Sequence, residues 1–197
     1  MVAVTIQVVN RMERTDVRVQ PGRGKDFAAV TEAIARNDMQ TVGALVRTHV
    51  PPNAYDSHND SLLMLAIHKL RETPQNFDCL HTLLASAANP NAETYKRPLQ
   101  TAIAVTPITG PEPVKILLTA GANPDFPDHL GTPVWFNAAS PNIKPEILGL
   151  LLDHGADINA KTRDGQTAVM YAAARGACDS VRYLKQRGAE GEAPGCQ

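Results

Sequence analysis

Residues 151–159 read LLDHGADIN, and this stretch decides the fold because it recurs along the chain. The pattern reads LLTAGANPD at residues 117–125 and LLASAANPN at residues 83–91, so successive copies are 34 residues apart. A shorter copy, LKQRGA, follows at residues 184–189, and a degenerate first copy, LVRTHVPPN, lies at residues 45–53. Self-similarity at a period of about 20 to 50 residues indicates a repeat architecture. The sequence therefore predicts five stacked units.

A second pattern opens each of the last four units. It reads SLLMLA at residues 61–66, RPLQTA at 97–102, TPVWFNA at 132–138 and TAVMYAA at 167–173. Serine or threonine can accept a hydrogen bond from an unpaired N–H at a helix start, and proline fits the first helical turn. Small alanines allow close helix packing, and the leucine pair supplies a buried stripe. Each unit is thus predicted to contain two helices, the second ending at a left-handed glycine such as Gly155.

Together the two patterns resemble the ankyrin repeat, in which a Thr-Pro-Leu-His-x-Ala-Ala helix precedes a Leu-Leu-x-x-Gly-Ala-Asp-x-Asn helix end. The resemblance implies an all-α repeat solenoid of about five helix-turn-helix units with hairpin fingers. It covers residues 26–190, with units at about 26–54, 55–91, 92–125, 126–159 and 160–190.

Ankyrin arrays typically bind proteins through a concave face made of fingers and first helices, so the resemblance implies a non-catalytic protein-binding module. Aromatic and basic side chains on those elements are the first candidates, because aromatic residues and arginine often dominate binding energy. Trp135 occupies the consensus histidine position, and both a core role and an exposed anchor role stay open. The predicted protein-binding residues are Tyr55, His58, Tyr95, Arg97, Phe126, His129, Trp135, Arg163 and Arg175.

The two ends of the chain fall outside the repeat. Residues 1–25 form an N-terminal extension in which apolar residues alternate over 2–8 and again over 17–19, which predicts a β-like hairpin. This hairpin would pack on the first unit or, alternatively, offer an edge for strand addition to a partner. Residues 191–197 are predicted to be a frayed, flexible tail.

Extra residues rich in proline and polar side chains lie between the two patterns of units two, three and four, at 71–76, 106–111 and 140–145. They are predicted to be loops between the helices. Two interpretations stay open, a neutral surface insertion and a secondary contact edge opposite the fingers.

Charge and hydropathy favour a soluble protein that binds neither nucleic acid nor membrane. Nineteen basic and twenty acidic residues give a net charge of -1, which supplies no general attraction for phosphate backbones or anionic lipid. No apolar stretch approaches the roughly 20 residues of a membrane helix. We expect a cytoplasmic protein that is monomeric when unbound, although an effector secreted by another route would share these features.

The residues with catalytic or metal-binding potential form no known motif. Cys79, Cys178 and Cys196 are far apart and lack a Cys-x-x-Cys pair, which argues against a disulfide framework and a zinc site and favours a reducing compartment. Residues 22–25 resemble part of a phosphate-binding loop but lack its other glycine and the following Ser or Thr. We therefore expect no catalysis, metal or cofactor.

The leading functional hypothesis is a module that inhibits, sequesters or scaffolds one specific protein. A bacterial immunity protein that neutralises a cognate toxin would be one example, by analogy alone. The alternative is an adaptor or secreted effector that recruits a host protein.

Overall fold

The computed structural model describes residues 24–94 and 96–196, which form five consecutive helix pairs. The predicted all-α repeat solenoid is confirmed, while the predicted N-terminal hairpin and Tyr95 lie outside the described residues. The pairs are α1 (Gly24–Ala35) with α2 (Met39–Thr48), α3 (Leu62–Lys69) with α4 (Asp78–Ala85), α5 (Pro98–Thr109) with α6 (Glu112–Thr119), a 3-10 helix (Val134–Ala138) with α7 (Glu146–Asp153), and α8 (Ala168–Ala174) with α9 (Cys178–Gln186).

The helix starts follow the capping chemistry of the sequence. Ser61 Oγ accepts from the Met64 N–H at 3.2 Å, and Thr167 Oγ1 accepts from the Met170 N–H at 3.4 Å. Each hydroxyl pairs an N–H that the first helical turn leaves without a backbone partner. The Ser or Thr before the apolar run therefore fixes where α3 and α8 begin.

Four of the five second helices, α4, α6, α7 and α9, end with the same type of hydrogen bond. The N–H of the alanine just beyond each helix donates to the carbonyl of a leucine five residues earlier, at 2.9–3.1 Å. The residue just before that alanine takes a left-handed conformation, with φ of 91° at Gly155 and 66° at Ala87. This arrangement pairs carbonyls that would otherwise be unsatisfied and turns the chain into the next finger. The donor–acceptor pairs are Ala88–Leu83, Ala122–Leu117, Ala156–Leu151 and Ala189–Leu184.

One hydrophobic core runs through all five pairs. The leucines that recur in the second helices, Leu83, Leu117, Leu151 and Leu184, are each fully buried. A single helix pair cannot cover its own apolar face, so the stacking of neighbouring units creates this core.

The prediction of a loop at residues 106–111 is wrong for its first four residues, because α5 continues to Thr109 with Pro107 inside it. Proline lacks the N–H that would pair the carbonyl four residues earlier. Here the Thr106 hydroxyl donates to that carbonyl, on Ile103, at 2.8 Å. The helix therefore tolerates the proline, and α6 begins after a break of only two residues, Gly110 and Pro111.

The cysteines overturn a second expectation, since Cys178 and Cys196 form a disulfide with a Cα–Cα distance of 5.0 Å. The prediction against a disulfide is therefore wrong. Residues 191–196 do not project from the last unit as a frayed end, because the disulfide ties them to α9 and Ala193 and Cys196 pack against the core. Cys79 is unpaired and buried.

Within residues 24–94 and 96–196, no helix has the length and apolar character needed to cross a lipid bilayer.

Candidate functional site

A groove of about 890 Å³ opens between the first helix pair and the first finger. Phe27 and Ala28 of α1 and Leu65 of α3 give it an apolar floor, and the finger at residues 55–59 forms its rim together with Glu93. Leu65 is half-buried, so part of its side chain is available inside the groove.

A second groove of about 530 Å³ continues along the next two fingers. It shares His58, Asn59 and Glu93 with the first groove. Its other wall carries Thr94, Arg97, Pro127, Asp128 and His129. The two grooves thus form one continuous surface, from α1 to the finger of the fourth unit, which we call the finger surface.

Side-chain carboxylates hold the individual fingers in shape. Asp56 Oδ1 accepts from the N–H groups of His58 and Asp60, both at 2.8 Å. Asp128 Oδ1 accepts in the same way from Leu130 at 2.9 Å and Thr132 at 3.0 Å. Such bonds pair the turn backbone internally, so the fingers present their tips in a fixed conformation.

Asparagine and aspartate side chains also set the spacing between fingers. Asn53 Oδ1 accepts from the Asn89 N–H at 2.6 Å, and Asn91 Oδ1 accepts from the Asn123 N–H at 2.8 Å. One unit on, the Asp125 carboxylate accepts from the Asp157 N–H at 3.1 Å. Each finger is therefore fastened to the next by a residue that the repeat places at the same position.

Arg97 and Phe126 form a contact between two fingers. The Arg97 guanidinium carbon lies 5.1 Å from the centre of the Phe126 ring, and its Nε donates to the Pro127 carbonyl at 3.3 Å. A second guanidinium nitrogen donates to the Asn91 carbonyl at 3.2 Å. The predicted anchors Arg97 and Phe126 consequently support the finger arrangement as well as lining or flanking the groove, and Phe126 remains 37% exposed.

Two predicted anchors lie farther along the array. Arg163, in the last finger, is exposed and its side chain lies beside Gly131 of the preceding finger. Arg175, at the end of α8, stacks over the Tyr171 ring at 3.4 Å from its centre. Both basic groups belong to the C-terminal half and do not line the two grooves.

Trp135 is excluded from the binding residues because its side chain is fully buried. Its ring meets that of Phe136 edge-on at 4.7 Å, and Phe136 in turn contacts Tyr171 at 5.5 Å. The interpretation as an exposed anchor is wrong, and the core interpretation is right. Trp135 and Phe136 lie in the first segment of unit four, which forms a five-residue 3-10 helix instead of an α-helix.

In the part of the chain that the structure describes, titratable groups show no clustering typical of a metal centre. Among the residues that the structure describes, no group of three or more His, Cys, Asp or Glu side chains is placed to hold a metal ion. Burial lowers the pKa of His68 on α3, and burial raises the pKa of the Asp125 carboxyl between two fingers. Both shifts follow the cost of placing a charge away from water.

Comparisons with known proteins agree with the repeat architecture. A profile described as ankyrin repeats (3 copies) matches residues 101–194. The B-cell lymphoma 3 protein homolog of Mus musculus is 32% identical over 158 residues, or 79% of this chain and 34% of the mouse protein. The chain belongs to the ankyrin-repeat family. It spans about a third of the length of that mouse relative.

Ankyrin repeats are generally protein-interaction modules, and the finger surface lies on fingers and first helices, the elements for which the sequence predicts binding. Tyr55, His58, Arg97 and His129 of the predicted set line its grooves. Sequence reasoning missed Phe27, Ala28, Thr31 and Leu65. Leu65 could have been identified from the sequence, because it occupies the variable position just before the alanine of the ankyrin helix. The residues of α1 could not, because α1 lacks the Thr-Pro-Leu start that would indicate which of its residues face the groove.

Proposed function

We propose that this ankyrin-repeat protein binds one specific protein across the finger surface and thereby inhibits, sequesters or scaffolds it. The observation that carries the proposal is the continuity of the two grooves through His58, Asn59 and Glu93. A bacterial immunity protein bound to its toxin is one form that such an inhibitor could take. In this proposal the chain acts as a non-catalytic monomer, without cofactor, nucleic acid or membrane.

The composition of the surface supports a protein partner. Specific interfaces combine a buried apolar centre with a polar rim. Phe27, Ala28 and Leu65 supply the apolar floor here, while His58 and Glu93 stand at its edge. The His58 side chain is 83% exposed, so a partner can reach it.

Rigidity of the surface also supports this function. The bonds within and between fingers fix the rim before any partner arrives, and a preformed surface avoids part of the entropy cost of association. Arg97 and Phe126 contribute to that rigidity, so a binding test should leave them intact.

The experiment captures partners with the full chain and compares two triple variants. Leu65→Lys, His58→Ala and His129→Ala together alter the finger surface, and Glu112→Ala, Lys115→Ala and Lys144→Ala alter exposed residues outside the two grooves as a control. We expect a stoichiometric protein with the wild type and with the control, and its loss with the first triple. Equal recovery of the partner by both triple variants, with unchanged circular dichroism, would show that the interface lies outside the finger surface.

A secreted adaptor or effector that recruits another protein is the second candidate, and the Cys178–Cys196 disulfide favours it. Disulfides persist in oxidising compartments and are rare in the cytosol. This observation weighs against the cytoplasmic location expected from the sequence. Quenching intact cells with acid, then denaturing and alkylating the protein, distinguishes the two locations, because a cytoplasmic protein would be recovered with all three cysteines labelled.

A further inference from the structure

The segment from residue 190 to residue 196 runs back along the last helix pair. Gly191 lies beside the start of α8, where a Cβ on this glycine would collide with Thr167 Oγ1. The carbonyl of Gly191 accepts from Lys185 Nζ near the end of α9. Five residues later, Cys196 is bonded to Cys178 at the start of α9. The segment therefore spans the length of α9, on the last unit of the array.

This segment covers apolar surface that a further repeat would otherwise cover. Within the described residues no further unit stacks on the α8–α9 pair, so this segment is what protects the outer side of that pair. Ala193 and Cys196 pack against the core, and the fully buried Val169 lies 3.2 Å from the position that a Cβ on Gly191 would take. Residues 190–196 thus serve as the C-terminal cap of the described array.

The non-covalent contacts between the cap and the last helix pair are weak. Glu190, Glu192, Pro194 and Gly195 are exposed, and Lys185 is an exposed surface cation. Partial burial of two small apolar side chains and one exposed charged hydrogen bond contribute little against the conformational entropy of a seven-residue segment. The covalent bond is consequently the contact that keeps the cap in place.

We propose that the Cys178–Cys196 disulfide is a redox latch, closed when oxidised, and that its reduction releases residues 190–196 from the last repeat. A dithiol reductant supplies the two electrons. Its thiolate attacks one cysteine sulfur, the S–S bond breaks to a mixed disulfide, and the second thiol of the reductant resolves it. The reductant leaves as a cyclic disulfide, and the protein gains two thiols with two protons.

Cys79 provides an internal control for this chemistry. It is 3% exposed on α4, and burial raises the pKa of its thiol, which keeps the reactive thiolate scarce. Reduction or oxidation of the latch should therefore leave Cys79 unchanged.

The test combines thiol counting with hydrogen–deuterium exchange on the full chain. Protein equilibrated in an oxidising glutathione buffer, then denatured and alkylated, should take one label, and after dithiothreitol it should take three. Amides of residues 167–170 and 189–196 should exchange at least about tenfold faster after reduction, while those of 98–106 stay unchanged. Cys196→Ser should show the faster exchange with or without dithiothreitol, and Cys79→Ser should respond like the wild type.

Two results would overturn the latch. Three labels on protein from the oxidising buffer would show that the bond does not form. A single label combined with unchanged exchange at 189–196 after reduction would show that non-covalent contacts alone hold the cap.

Discussion

The hydroxyl of Thr106 donates to the carbonyl of Ile103 at 2.8 Å and so replaces the backbone N–H that Pro107 cannot offer. Thr106 is only 7% exposed, so water has little access to this carbonyl and cannot easily replace the hydrogen bond. The pairing explains why α5 passes through a proline that was predicted to end it.

Thr106→Val should lower the free energy of unfolding by about 1–3 kcal/mol, because a buried carbonyl loses its partner. Thr106→Ser keeps the hydroxyl and should lose less. Urea unfolding followed by circular dichroism measures both. A larger loss for serine than for valine would show that packing of the methyl group, rather than the hydrogen bond, matters at this position.

Ala87 occupies a left-handed position, with φ of 66°, where α6, α7 and α9 end at glycine. A side chain in this conformation costs about 1–2 kcal/mol, whereas glycine enters it freely. Ala87→Gly should therefore raise the free energy of unfolding by about 1 kcal/mol. Gly155→Ala, the reverse change at the equivalent position, should lower it by a similar amount in the same thermal or urea titration. A destabilised Ala87→Gly protein would refute this account of the helix ends.

Asp125, whose carboxylate bonds one finger to the next, makes the stability of the fold depend on pH. Burial raises the pKa of its carboxyl above the ordinary value of 3.8, so the folded protein binds this proton more tightly than the unfolded chain does. Its contribution to stability is thus full below 3.8 and is lost as the pH rises through the raised pKa.

Asp125→Asn removes this pH-dependent loss of stability and keeps an oxygen that accepts from the Asp157 N–H. It also adds an amide donor like that of Asn91, whose Nδ2 donates to the Gly121 carbonyl at 2.9 Å. We expect a gain of up to about 1 kcal/mol at pH 7 that shrinks toward pH 3.5. Asp164→Asn, at an exposed finger tip, should show no such trend. Urea titrations at several pH values test this, and a gain that grows as the pH falls would contradict the sign.

Gly191 must lack a side chain for the cap to seat against Thr167. Gly191→Ala should loosen the cap with the disulfide intact, raising amide exchange at residues 167–170. Gly195→Ala is the matched control, because it also has a positive φ, 87°, but no atom lies within 4 Å of its Cβ position. Equal exchange in the two variants would show that Gly191 does not seat the cap.

Much of the fold could be predicted from the sequence because each repeat contains the residues that determine where its own helices begin and end. The LLxxGA pattern fixes a helix end, and Ser61 or Thr167 fixes a helix start, through hydrogen bonds within a few residues. Such short-range chemistry is the same wherever the pattern occurs, so self-comparison was enough to predict five units.

The departures required information that the pattern does not contain. Proline alone predicts a helix end, and only the preceding Thr106 hydroxyl reverses that outcome. The disulfide joins cysteines 18 residues apart through the course of the cap, which no spacing rule specifies. Trp135 occupies a position where either burial or exposure was consistent with the sequence, and packing against Phe136 decided it.

The candidate site was predicted less completely for the same reason. Individual finger residues such as His58 and His129 could be chosen from their positions in the repeat. The groove floor depends on how α1 and α3 approach each other, and that tertiary arrangement brought in Phe27 and Leu65.

Hydrogen–deuterium exchange of the complex with the captured partner tests the central claim most directly. We predict slower exchange in the fingers at residues 55–60, 93–97 and 126–132 and at the start of α1. The connections at residues 71–76 and 140–145, outside both grooves, should be unchanged. Protection confined to those connections, with unchanged finger amides, would contradict binding through the finger surface.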